Sequence, residues 1–171
     1  MLDYNTIMYL ICDMDGTLLK NDFFEELFFK KLLETPFSLI KYLFKKDGLL
    51  LLKQDLLNGF QPNYPIDFLI NDEVLNFIAE KKGSYKGVIL ITASPDKFAK
   101  QLFGHLDLFT EIFGSTSINL KGIKKLDFIV KKEFTPFTYI GNDSSDKIIY
   151  QSSLNPLHVI NGKLKQVENH V

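Results

Sequence analysis

The chain contains no arginine and no tryptophan, and its only cysteine is Cys12. Without arginine there is no arginine finger and no bidentate guanidinium clamp on phosphate or carboxylate. A bound phosphate must then be held by lysine, hydroxyls, backbone N–H groups or a metal. A lone cysteine excludes a disulfide framework and a cysteine-rich zinc site. Cys12 stands inside an apolar run and reads as a small buried residue, not as a nucleophile. No apolar run reaches the roughly 18 residues that a membrane-spanning helix needs. The most lipid-like stretch, residues 36–57, is interrupted by Lys41, Lys45, Lys46, Asp47, Lys53 and Asp55. The N-terminus lacks a basic region followed by an apolar stretch and a small-residue cleavage site, so a cytoplasmic protein is expected. The formal net charge is -1, which gives no reason to expect nucleic-acid binding. His105, His158 and His170 lack metal-ligand spacing and read as structural or surface residues.

What is present describes a folded protein. Hydrophobic residues make up 46% of the 171 positions and charged residues 24%, a balance that argues against disorder. The length suits one domain with a small insertion. The abundance of lysine and phenylalanine reads as genomic composition.

Residues 7–12 are a short apolar run ending at Asp13, as in a buried strand. Phe24, Leu27, Phe28 and Leu32 recur at helical spacing over residues 22–33. Pro36 opens a second helical segment with Leu39, Ile40, Leu43 and Phe44 expected inward. Gly48 breaks it, residues 49–58 form a third, and Gly59 stops that one. Gln61 to Pro65 reads as a linker. Beyond it, helices are expected at 72–82, 95–103, 121–132 and 146–152, and strands at 88–91, 111–113, 137–140 and 157–160. This alternation predicts an α/β fold, a three-layer Rossmann-like parallel sheet covered on both faces. The core would comprise residues 1–18 and 72–171, and residues 19–71 would be an inserted helical cap.

The strongest local signal is Asp13-Met14-Asp15-Gly16-Thr17, directly after the first strand. Ligands of open α/β sheets bind beyond the carboxyl ends of strands. Two carboxylates one residue apart can divide the work there: one attacks or holds a metal, the other transfers a proton. Gly16 permits a tight turn and a close backbone approach. The bland alternative is a surface turn with two solvated aspartates, since a motif of this kind arises by chance in about one chain in a thousand. A calcium loop counted from Asp13 fails, because its sixth position is Leu18 and its twelfth is Phe24.

An apolar strand followed by Asp-x-Asp-Gly-Thr resembles the first motif of haloacid dehalogenase-superfamily phosphatases. Three further motifs of that family are found in order. The second, a hydroxyl residue ending the next core strand, is matched by Thr92, followed by Ala93 and Ser94. The third, a lysine at the start of a later helix, is assigned to Lys121 before Gly122, with Lys124 and Lys125 as rivals. The fourth, an acidic loop, is Gly141-Asn142-Asp143-Ser144-Ser145-Asp146. Asn142 stands where an aspartate is usual, and Asp146 matches the second aspartate. Taken singly, the hydroxyl, the lysine and the polar turn are each weak; their order carries the assignment. The stretches Thr92-Ala93-Ser94 and Asn119-Leu120-Lys121-Gly122, with the helical insertion, are also similar to phosphatase-like domains fused to UbiA-type prenyltransferases. Those domains are associated with polyprenyl-phosphate chemistry.

The resemblance implies a small-cap hydrolase of phosphate monoesters that uses magnesium. Asp13 would attack phosphorus and Asp15 would act as acid and then base. Gly16, Thr17, Thr92, Ala93, Ser94 and Lys121 would bind the phosphate. Asp13, Asp15, Asn142, Asp143 and Asp146 would supply the metal ligands, Asp15 through its backbone carbonyl. The expected partner is a small phosphorylated substrate. The alternative is a catalytically weak binding module with a lipid or membrane partner, suggested by Asn142 and by the apolar insert. A response-regulator receiver is disfavoured, because its phosphoacceptor follows a later strand. The apolar residues of the insert, Phe24, Phe28, Leu32, Ile40 and Leu43, are expected to pack its helices together. A surface that docks on a membrane or a partner is the other reading.

Overall fold

A computed structural model describes residues 8–45, 47–58 and 70–167. The linker expected at Gln61 to Pro65 and the stop at Gly59 lie outside these residues.

Strand β1 (Tyr9–Cys12) is the centre of a six-stranded sheet. It pairs in parallel with β2 (Gly87–Pro95) on one side and β4 (Phe137–Gly141) on the other. Strand β3 (Glu111–Ser115) adds in parallel beyond β2, and β5 (Leu157–Ile160) beyond β4. The order is β3-β2-β1-β4-β5-β6. The alternation along β1 explains its two-faced burial. Leu10 and Cys12 point to a layer holding Val88, Leu90, Phe98 and Phe103. Ile11 points to the other layer, with Ile89, Ile91, Ile129 and Tyr139. Each such side chain contributes about 1.5–3 kcal/mol through removal from water.

Helices α4 (Asp72–Lys81) and α5 (Asp96–Phe103) cover the first face through Val74, Ile78, Phe98 and Leu102. Asn71 caps α4 by accepting from Glu73 N at 3.2 Å. Helices α6 (Ile123–Lys131) and α7 (Lys147–Ser152) cover the second through Ile129 and Ile149. Strand β6 (Lys163–Gln166) is not among the expected elements. It returns antiparallel to β5 through Asn161 and Gly162, both at positive φ, so the sheet is mixed at that edge. Asn-Gly favours the two-residue turn that joins antiparallel strands.

Helix α1 (Phe23–Glu34) begins at Asp22, whose Oδ1 accepts from Phe24 N at 2.9 Å. A 3-10 turn (Pro36–Leu39), a short α2 (Ile40–Leu43) and α3 (Gly48–Asn58) follow. The expected inward face of α2 is corrected. Ile40, Leu43 and Phe44 are exposed, as is Leu32 of α1, and Tyr42 is the buried residue, its hydroxyl donating to Asp55. A helix of four residues offers one inward position, and the aromatic ring with a polar tip takes it because Asp55 of α3 supplies an acceptor. At the root of this segment Leu19 bridges antiparallel to Ile70, and Asn71 N donates to Leu18 O at 2.8 Å. The chain therefore leaves and re-enters the core at one place. Among the described residues no helix is long and apolar enough to cross a membrane.

Candidate active site

Strand register brings the site together. Cys12 is level with Leu90 of β2 and Ile140 of β4, so the loops after these three strands open at one edge. The chain runs outward in opposite directions from β1 and β4, which makes this edge the switch point where α/β sheets bind ligands.

Asp13 is the first residue past β1. Its Oδ1 accepts from Met14 N at 2.8 Å and lies 3.1 Å from Lys125 Nζ. The turn that follows closes with Leu19 N donating to Met14 O at 2.8 Å. Gly16 has φ of 67°, and a Cβ there would collide with the Asn142 side-chain amide, so the position needs glycine twice over. The Thr17 hydroxyl donates to Asn142 Oδ1 at 3.2 Å. It holds the acidic loop against the first loop, in place of the expected phosphate contact. His158 Nε2 lies 2.8 Å from Asn142 O; since a carbonyl only accepts, that nitrogen carries the proton.

Asp15 sits beneath β2. Its Oδ2 accepts from Ser94 Oγ at 2.6 Å and from Thr92 Oγ1 at 3.3 Å, and Thr92 Oγ1 accepts from Ser94 N at 3.0 Å. The two hydroxyls expected on phosphate are thus engaged with a buried carboxylate, which needs donors more than a solvated group does. Asp15 Oδ1 is buried without a hydrogen-bond partner among the described residues. Burial pushes the Asp15 carboxyl up to about 6, with Lys53 pulling the other way.

The structure places Lys121 and its rival Lys125 differently, although both line the same cavity. Lys121 is half-exposed and pairs with Asp143 at 3.2 Å. Lys125 reaches the buried carboxylates: it is 1% exposed and lies 3.1 Å from Asp13 Oδ1 and 3.4 Å from Asp146 Oδ2. Gly122, with φ of 55°, turns the chain just before α6. Lys125 then shares the helix's inward face with Ile129, four residues on, and Lys121 precedes the helix. Tyr139 of β4 completes the arrangement. Its hydroxyl accepts from Lys125 Nζ at 3.0 Å and donates to Asp146 Oδ2 at 2.5 Å. Burial raises the Tyr139 phenol well above its ordinary value. Neither Tyr139 nor Lys53 is singled out by the sequence motifs. The only signal for Tyr139 is a polar-tipped aromatic at an inward position of a core strand.

One lysine here serves two buried carboxylates. Burial alone would lower Lys125, but Asp13 and Asp146 outweigh it and hold it charged. Burial raises Asp13, Lys125 opposes that, and Asp146 adds to it. One negative charge is left without a compensating partner. Asp143 is different: burial would raise it, but the Ser145 N–H and Lys121 hold it below its ordinary value.

The loops and the insert enclose a cavity of about 520 Å³. Asp13, Asp15, Gly16, Ala93, Lys121 and Lys125 form part of its wall, with Asn142, Asp143 and Asp146 from the acidic loop. Thr17, Thr92 and Ser94 stand behind that wall. The insert contributes Phe24, Glu25, Leu49, Leu50 and Lys53, so one side of the cavity carries the carboxylates of the strand-end loops and the other is partly apolar. Lys20 and Lys53 supply cations on the insert side, where arginine is absent. Asn119 Oδ1, in the same wall, is buried without a partner among the described residues.

The donors fit magnesium in type: carboxylate, amide and main-chain oxygens, with a surplus negative charge for a cation to neutralise. Among the described residues no group of three or more His, Cys, Asp or Glu side chains is arranged to hold a metal by itself. A cation here would therefore rest on one or two carboxylates with substrate oxygens and water, the mode magnesium favours.

No family profile matches the chain. Over 148 residues, 84% of this chain, it is 29% identical to the uncharacterized protein y4nM of Sinorhizobium fredii, and it spans 28% of that protein's length. Three solved structures superpose over most of the chain. A protein of unknown function from Bordetella pertussis Tohama I has a TM-score of 0.61 and 12% identity, covering 88% of this chain and 89% of that one. Phosphoserine phosphatase in its apo form has 0.57 and 17%, covering 89% and 86%. The 2-haloacid dehalogenase of Pseudomonas syringae pv. Tomato DC3000 has 0.55 and 13%, covering 88% and 85%. These likenesses define the class of fold: the Rossmann-like α/β sheet of haloacid dehalogenase-type hydrolases.

Proposed function

We propose that this chain is a magnesium-dependent phosphatase acting on a phosphate monoester through an aspartyl-phosphate. The observation that carries the reading is the pairing of Asp13 with Lys125 and of Asp15 with Ser94 and Thr92 at the switch point, both facing one cavity.

An Asp13 carboxylate oxygen attacks phosphorus, and the bond to the ester oxygen breaks. Asp15, with its carboxyl raised by burial, gives its proton to the leaving alkoxide. Asp15 then takes a proton from the water that attacks the aspartyl-phosphate, which releases inorganic phosphate and restores both carboxyls. Lys125 opposes the repulsion between Asp13 and the incoming anion. Asp13, the Asp15 backbone carbonyl and Asn142 would hold the metal, with Asp146 held by Lys125 and Tyr139 beside them. When bound, magnesium supplies charge neutralisation on the transferring phosphoryl oxygens. Residues 19–71, as a cap, screen the site from water and choose the substrate.

A panel of phosphate esters with magnesium tests this, and it should include an isoprenyl monophosphate because of the resemblance to UbiA-fused domains. Turnover that disappears in Asp13→Asn supports it. No turnover of any ester, with Asp13→Asn indistinguishable from the parent, removes its basis.

A second reading, a catalytically weak binding module of the same fold, is favoured by one observation: Asn142, bonded to Thr17, brings no charge to the acidic loop. Tight partner association that persists in Asp13→Asn, without turnover, would support it.

A further inference from the structure

The described part of the insert keeps large apolar side chains in solvent. Leu33, Phe37, Leu43 and Phe44 are each at least 80% exposed, and Phe29 and Ile40 are exposed as well. They run from the last turns of α1 through the 3-10 turn to the end of α2. None lines the cavity; the buried apolar residues of α2 and α3 are Tyr42, Leu52 and Leu57, the last in the core layer with Leu10, and Phe29 keeps an edge contact with Phe28. Apolar exposure of this density marks an interaction surface.

Charge indicates what covers it. Residues 30–46 contain Lys30, Lys31, Lys41, Lys45 and Lys46 against a single acid, Glu34. The chain as a whole has a net charge of -1, so the basic excess is local. Lys30, Lys41 and Lys45 are exposed between the apolar side chains. Cores of protein–protein interfaces are depleted in lysine. Phe and Leu interleaved with lysine instead suit a bilayer surface, with rings in the acyl boundary and ammonium groups among lipid phosphates.

We infer that the face of the insert from Phe29 to Phe44 docks on an anionic lipid surface. This does not rest on the phosphatase reading, because no residue of the cavity wall takes part. Co-sedimentation of the full chain with vesicles tests it, using phosphatidylcholine alone and phosphatidylcholine with about one third phosphatidylglycerol. The protein should pellet with the anionic vesicles, and at least about tenfold less with the neutral ones or at high salt. Two variants, Leu33→Ser/Phe37→Ser/Phe44→Ser and Lys41→Glu/Lys45→Glu, should each lose at least about tenfold in vesicle affinity. The serine variant replaces exposed side chains, so its melting curve should match the parent; Lys41 and Lys45 lie 4.7 and 6.0 Å from the Tyr42 ring centre, so the glutamate variant is compared at a temperature where its circular dichroism equals the parent's. Absence of pelleting with either vesicle overturns the inference, as does equal binding by parent and variants. A dimer in size-exclusion chromatography that the serine variant converts to monomer, without vesicle binding, would assign the face to a second copy of the chain and equally overturn it.

Discussion

Asp15 and Lys125 carry the sharpest tests at the scale of single residues. Burial raises the Asp15 carboxyl from 3.8 to about 6, so the folded chain binds that proton more tightly than the unfolded one. The resulting stabilisation is complete below about pH 4 and is lost as pH rises through about 6. Asp15→Asn cannot ionise, so it should be more stable than the parent by about 3 kcal/mol near pH 8 and nearly equal to it below pH 4. Urea unfolding across that pH range measures the difference; a constant offset would show that the raised value is wrong. The same carboxyl should appear in kinetics. The kcat/KM for esters with poor leaving groups should fall above about pH 6, and Asp15→Asn should lower it far more than for activated aryl phosphates. Equal losses for both classes would remove the general-acid role. Lys125→Met leaves Asp13 and Asp146 buried without their cation. It should cost about 3–5 kcal/mol of stability and lower turnover about a hundredfold or more. Lys121→Ala, at a half-exposed pair, should change stability by less than about 1 kcal/mol and turnover only slightly. The reverse ranking in paired thermal and kinetic assays would make Lys121, not Lys125, the lysine that acts on the phosphate.

Among elements, the two loops around Gly16 and Asn142 would set the affinity for the proposed metal. The Asn142 amide is fixed between Thr17 and Gly16, and His158 holds its backbone. Asp143 faces Ser145 N and Lys121. Asn142→Asp should therefore add an anionic ligand and lower the magnesium concentration needed for activity, while Asp143→Asn should matter little. Magnesium titration of both variants tests this: loss of binding in Asp143→Asn, without gain in Asn142→Asp, would make Asp143 the ligand. Element existence was legible wherever apolar runs or caps are local, as at β1, α1 and α4. Two features were not. Strand β6 is short and polar, and only Asn161-Gly162 announced it. The inward side of α2 depended on Asp55, which is distant along the chain.

On the scale of the whole molecule, the insert and the core join at Leu19 and Ile70, so the ends of a deletion would already be adjacent. Removing residues 20–69 and bridging the gap should leave a folded sheet with altered substrate choice. The core should nevertheless be weaker by about 2–5 kcal/mol, because Leu57 of α3 is buried in the same layer as Leu10 and Leu90. Circular dichroism with urea titration reads this directly; global unfolding of the deletion would show that the insert is part of the core and not an addition to it.

Residues 13–17 show what is decided locally. Two carboxylates, a glycine and a threonine follow a buried strand without interruption, so their nearness to one another is a property of chain connectivity. The apolar strands and capped helices are local in the same sense, and they determined the α/β class. Which lysine reaches Asp13 was decided only in three dimensions. Lys121, Lys124 and Lys125 are equivalent by composition, and the turn at Gly122 and the face of α6 select Lys125. The engagement of Ser94 with Asp15 required strands far apart in sequence to pair in one register. Helical spacing likewise identified the apolar residues of the insert but not their exposure. Spacing records which side chains share a face, and only the packing of other elements determines whether that face is covered.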